Sequence, residues 1–196
     1  MDLGVLAGVR LADWIILIYF LAFFVLGFAQ GTIRRLIGLA SILFSFLLAA
    51  NVAEPLAGFL KSNWTDQNEQ YSYMVGFLTI FVAASLAFAI VVQGFYRPQP
   101  LFEKARFVDE IIGGILGLVQ AGVILGAFIV ILDSYYRLTG LTPRPAELGF
   151  LRDFWSFLDQ SQIVGIFRET IIPAFFTLVG LFIPTKIRSM FPGGAA

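Results

Sequence analysis

The chain has 196 residues, of which 59% are hydrophobic and only 13% are charged. Soluble domains average about 45–50% apolar and about 25% charged residues, and a globule of this length has too little interior to bury such an excess. The 13 basic and 13 acidic residues cancel and form no basic block, so we expect lipid as the main solvent and no nucleic-acid partner.

Two residue types that often carry chemistry are missing, because the chain contains no cysteine and no histidine. Their absence excludes disulfides, zinc–thiolate sites, histidine-held haem and thiol nucleophiles within this chain. It also removes the commonest general base. Catalysis would have to use carboxylates, Ser/Thr, Tyr, Lys or Arg alone. We expect no catalytic site, no metal site and no cofactor.

Four uncharged stretches are long enough to cross a bilayer. A helix that rises about 1.5 Å per residue needs roughly 20 residues to cross a hydrocarbon core of about 30 Å. Such segments must be helical, since lipid offers no partner to an unpaired backbone group. The predicted transmembrane spans are residues 14–33, 36–53, 74–92 and 111–132.

The C-terminal part adds two further segments. Residues 148–169 show apolar side chains at helical spacing, typical of an amphipathic helix that lies in the headgroup plane or packs on the protein's own loops. Residues 170–185 contain two prolines and are short for a span, so they are either re-entrant or a fifth crossing. The predicted fold is an all-α polytopic membrane helical bundle of four transmembrane helices plus this C-terminal amphipathic and hydrophobic segment.

The distribution of basic residues bears on orientation. The loops after the first and third spans contain five lysines and arginines, against two in the N-terminal tail and second loop. This asymmetry favours the first and third loops in the cytoplasm. Three arginines, Arg137, Arg144 and Arg152, lie near the end of the fourth span, and counting them makes the two sides equal.

Small and polar residues inside the spans indicate how the helices pack. Gly27 and Gly31 are four residues apart, as are Gly113 and Gly117, a spacing typical of packing seams within a bundle, a homo-oligomer or a complex with other membrane proteins. Gln120 lies near the middle of the fourth span, where an interhelical hydrogen bond is favoured over a contact lining a pore. The four predicted spans contain no charged residue, which disfavours ion-coupled transport.

Two segments carry a resemblance to a known family. The first span begins beside Asp13 and ends in the sequence GFAQGTIRR over 27–35, while the fourth begins with DEIIGG over 109–114 and continues through Gly117 and Gln120. Together they resemble the colicin V production protein (CvpA) family of small multi-pass bacterial inner-membrane proteins. The positions that match its motifs are Gly27, Gly31, Arg34, Asp109, Gly113 and Gly117.

Several positions depart from the family pattern. Gln30 and Gln120 stand where the family usually has a basic residue, and Arg35 replaces an acidic one. Glu110 replaces an arginine and Ala121 a glycine. A role that depends on those family cations is therefore in doubt for this chain.

The resemblance implies a non-enzymatic inner-membrane protein that is required for production or export of the toxin colicin V, or for envelope maintenance. The alternative is a small passive channel or transporter subunit assembled through the glycine-rich faces. An enzyme acting on lipid would need Asp109, Glu110 and Asp133 near one another, although charge gathers at the ends of a span simply because water is there. We also expect an ion pair between Asp109 and Arg34, since both lie at membrane boundaries predicted on one side.

Overall fold

The computed structural model describes residues 10–64, 68–95, 106–139 and 147–179, and all regular structure within these ranges is helical. This confirms the predicted all-α bundle. The elements are α1 Leu11–Gln30, α2 Thr32–Asn63, α3 Glu69–Phe95, α4 Arg106–Thr139, α5 Gly149–Asp159, α6 Gln162–Ile166, a π-helical turn Phe167–Ile171 and α7 Ile172–Val179.

Helices α1 to α4 are long and apolar enough to cross a membrane. The 20 residues of α1 correspond to about 30 Å, close to the hydrocarbon thickness. By contrast, the 32 residues of α2 and the 34 of α4 correspond to about 48–51 Å. These two helices are longer than the predicted spans because the helical backbone continues past charged residues such as Glu54 and into the water-exposed zone.

The four long helices pack side by side. Helix α1 packs antiparallel mainly on α4 and α2 packs antiparallel mainly on α3, while α2 also contacts α4, to which it runs parallel. We call the end of the bundle where α1 begins, at Leu11, the head end. The opposite end, where Gly31 joins α1 to α2, is the turn end. Outward-facing side chains such as Ile18 and Ile90 are 63% and 70% exposed, as expected of a surface that faces lipid.

Helices α1 and α4 make backbone contact along a glycine seam. A Cβ atom added to Gly27 would lie 2.2 Å from the carbonyl oxygen of Gly113, and one added to Gly117 would lie 2.2 Å from the carbonyl oxygen of Phe23. No side chain larger than hydrogen fits at either position, since such separations are well inside van der Waals contact. The glycine spacing seen in the sequence thus serves a seam within this chain, and contacts with other proteins remain a prediction.

The C-terminal part folds back onto the bundle. Leu151, Trp155 and Leu158 of α5 are buried, so this amphipathic helix packs on the protein itself. The chain then breaks at Ser161, whose Oγ accepts a hydrogen bond from Val164 N at 3.2 Å and caps α6. The region predicted as one helix over 148–169 is therefore divided.

After this break, α6, the π-helical turn and α7 lead towards the middle of the bundle. The ring of Phe167 fills the space beside Gly122 and Gly126 of α4, and the Phe175 ring lies 6.2 Å from that of Phe46 on α2. Residues 180–185 of the predicted hydrophobic segment lie outside the described residues.

The seam gives a direct stability prediction. Gly117→Ala forces α1 and α4 apart, and overpacking of this kind costs about 1–3 kcal/mol, so we expect a lower midpoint of thermal unfolding in detergent micelles. Gly58→Ala is the matched control, because a Cβ there meets nothing within 4 Å and alanine favours the helix. Equal midpoints for the two variants would contradict the seam.

Candidate functional site

A polar cleft lies near the turn end, among side chains of α1, α2, α3 and α4. It has a volume of about 160 Å³, and its polar lining consists of Gln30, Arg34, Arg35, Ser41, Ser85 and Gln120. The α1–α2 turn sets its position, because Gly31 adopts φ +74°, a left-handed conformation that glycine accepts without strain. That turn places Arg35 in the first turns of α2, facing the other helices.

The centre of this cleft is a buried arginine. Arg35 is only 5% exposed, its Nη1 donates to Oε1 of Gln120 at 2.9 Å, and its guanidinium carbon lies 5.6 Å from the centroid of the Phe23 ring. The interhelical hydrogen bond expected of Gln120 therefore exists, and its partner is a cation. The predicted second span began at residue 36, so Arg35 was expected at the surface, whereas the structure directs it into the bundle.

Four residues at the turn end, Gly31, Thr32, Asp109 and Gly113, form a second, adjoining group. Thr32 Oγ1 donates to the backbone oxygen of Asp109 at 3.0 Å. A Cβ on Gly31 would lie 2.5 Å from Asp109 Oδ2, and one on Gly113 would lie 2.9 Å from Gly31 Cα. Glycine at 31 and 113 is what lets the α1–α2 turn sit against the start of α4.

The expected Asp109–Arg34 ion pair is not formed. Asp109 is buried and its Oδ1 has no hydrogen-bond partner among the described residues, while Arg34 lines the cleft. Both residues do lie at the turn end, as expected. Their side chains differ in direction because Asp109 packs under the Gly31 turn.

Asp13 lies at the other end of the bundle. Its Oδ1 accepts hydrogen bonds from Ser161 Oγ at 2.6 Å and from Ile163 N at 3.1 Å, and its Oδ2 accepts one from Arg10 N at 3.1 Å. Asp13 therefore joins the start of α1 to the start of α6. It is the one predicted site residue that the structure separates from all the others.

A buried ion pair at the head end was not expected from the sequence. Arg168 donates to both oxygens of Asp133 at 2.7 Å, and Trp155 Nε1 donates to Asp133 Oδ1 at 2.8 Å. Arg168 Nη1 also donates to Asp159 Oδ1 at 2.5 Å. Burial acts to lower the pKa of Arg168, but the carboxylates of Asp133 and Asp159 outweigh it and raise that pKa, so the guanidinium stays charged. In the sequence, the only indication of this pair is that Asp133 and Arg168 carry opposite charges and flank two apolar segments.

A second polar cluster attaches the start of α5 to α3 and α4. Arg152 forms an ion pair with Glu147, and the hydroxyl of Tyr135 donates to the same carboxylate. Tyr71 Oη accepts a hydrogen bond from Leu148 N at 2.7 Å. The guanidinium carbon of Arg152 lies 5.4 Å from the Tyr136 ring centroid, a separation at which cation–π attraction is effective.

These arrangements suit binding and positioning rather than acid–base chemistry. The three carboxylates considered for a lipid-acting enzyme do not meet, since Asp109 and Asp133 are separated by about 36 Å along one straight helix. Glu110 pairs with Arg106 at 2.9 Å, and Asp133 is bound to Arg168. Among the described residues, no group of three or more metal-binding side chains occurs.

A larger cavity elsewhere in the bundle is apolar. It has a volume of about 410 Å³ and lies between α1, α2, α4 and the C-terminal helices. Its walls include Phe20, Phe46, Gly122 and Phe167. No polar side chain of the described residues lines it. The lining therefore contains no side-chain group that would identify the chemical class of a ligand.

Comparison with known proteins gives one match. The sequence model of the family described as Colicin V production protein matches residues 12–172. This range includes α1 to α4, α5, α6 and the π-helical turn. No curated protein and no solved structure matches the chain.

The Asp133–Arg168 pair generates a stability prediction. Asp133→Asn leaves a buried guanidinium without its full counter-charge, and breaking one side of such a pair typically costs about 3–5 kcal/mol. We expect a marked fall in the thermal unfolding midpoint. Glu110→Gln is the matched control on the same helix, since its partner Arg106 is 85% exposed and such pairs contribute about 0–1 kcal/mol. A fall no larger than that of the control would contradict the structural role of Asp133.

Proposed function

Because the chain belongs to the Colicin V production protein family, we propose that it is a non-enzymatic component of the bacterial inner membrane. In this proposal it is required for production or export of colicin V or a similar toxin, or for maintenance of the envelope. The observation that carries the proposal is the family match over residues 12–172, which includes all four candidate membrane helices.

The way the charged side chains are used supports a role without catalysis. Asp13 and Asp133 both connect the membrane bundle to the C-terminal helices. Their carboxylate oxygens accept hydrogen bonds from other groups of the chain. This arrangement suits a structural role more than a catalytic one. We place the turn end in the cytoplasm, following the basic residues of the first and third loops.

A passive channel or transporter subunit is the second candidate, and one observation favours it. Arg35 lies within the bundle against Gln120, so the membrane part does contain a buried charge. Ionisable groups in such positions often mark the path of an ion or a polar substrate.

Gene deletion in the native host, carrying a plasmid for colicin V production, tests the proposal. We expect either loss of toxin release with an intact envelope, which indicates export, or envelope-stress sensitivity with normal release, which indicates maintenance. Wild-type protein and the Glu110→Gln variant should both restore the phenotype. A deletion strain that shows neither defect contradicts the proposal.

A separate experiment tests the transport alternative. In liposomes, flux through the purified protein that Gln120→Leu abolishes would identify that alternative instead.

A further inference from the structure

The cleft at the turn end contains a positive charge with no carboxylate among the described residues that line it. Arg35 is only 5% exposed, that is, 95% buried. Its Nε has no hydrogen-bond partner in the described part of the chain. Gln120 accepts from Nη1, but a neutral amide does not balance a guanidinium charge. Removing a charge from water without an opposite charge is costly.

A second polar atom in the same cleft is also without a partner. The Oγ of Ser85, on α3, is buried and makes no hydrogen bond within the described residues. Ser85 and Arg35 both line the cleft. Two unsatisfied donors from different helices that border one cavity indicate a ligand that accepts hydrogen bonds.

The charge and size of the cleft narrow the class of ligand. Arg34 adds a second cation, and no carboxylate is among the described residues that line the cleft. Its volume of about 160 Å³ is more than ten times the roughly 10–15 Å³ that one water needs. The ligand is therefore an anion larger than water.

We propose that this cleft binds the oxyanion of a phosphate group. A guanidinium presents a planar fork of N–H donors that matches phosphate geometry, and the hydroxyl of Ser85 with the amide of Gln30 can add donors from α3 and α1. Gln30 is the last residue of α1, so the cleft lies at the depth of a membrane boundary. Both the headgroup of an anionic phospholipid and free inorganic phosphate carry this chemistry.

The test uses the full chain purified in a non-ionic detergent, at constant ionic strength set with sodium chloride. Inorganic phosphate is titrated in one arm and phosphatidylglycerol in the other, with the thermal unfolding midpoint and native mass spectrometry as readouts. We expect a saturable rise of the midpoint in at least one arm. A rise with phosphatidylglycerol alone identifies a lipid headgroup, and a rise with inorganic phosphate identifies a free anion.

Variants make the test specific to the cleft. Arg35→Gln should weaken binding at least tenfold and Ser85→Ala several-fold, whereas Arg106→Gln should leave it unchanged. Arg106 is the matched control because it is a turn-end arginine with a side chain 85% exposed. If Arg35→Gln fails to fold, Ser85→Ala decides, since it removes one hydroxyl only. No shift with either ligand, or wild-type affinity in the deciding variant, overturns the proposal.

Discussion

The close approach of α1 to α4 determines where the other groups lie. At Gly27 and Gly117 the two backbones leave no room for a Cβ atom, so the helices are fixed in register as well as in distance. At one end of this helix pair, the Gly31 turn lies against Asp109. Towards the other end, Ile15 and Ile16 near the start of α1 lie beside Phe128 of α4, where α5 also packs.

Buried charge is used differently at the two ends of the bundle. At the head end, Asp133 and Arg168 satisfy each other, and this pair attaches the C-terminal helices to α4. At the turn end, Arg35 has only the amide of Gln120 as a hydrogen-bonding partner among the described residues. Within the described part of the chain, the buried charges at the head end therefore balance each other, whereas the buried charge at the turn end has no counter-charge. Four positions at the turn end depart in charge from the family pattern. Three of them, Gln30, Arg35 and Gln120, line this one cleft, and the fourth, Glu110, pairs with Arg106.

The sequence predicted the number and type of the long helices because the length of an uncharged stretch reports directly on the bilayer. It also predicted close packing at Gly27 and Gly113, since four-residue spacing places small residues on one helix face. The inward direction of the Arg35 side chain could not be predicted in this way. Because each predicted span ends at a charged residue, every arginine is placed in water. The contact of Asp13 with Ser161 joins residues 148 positions apart, and no periodicity or local motif encodes a partner at that separation.

The central claim is that four helices cross the membrane and that the C-terminal helices return to the head end. The chain has no cysteine, so single cysteines can be labelled with a membrane-impermeant maleimide in intact cells without background. We predict that Ser62→Cys and Gln160→Cys label together on one side of the membrane, and that Arg106→Cys labels only after the membrane is permeabilised, or the reverse. Labelling of Gln160→Cys together with Arg106→Cys, and apart from Ser62→Cys, would contradict the account.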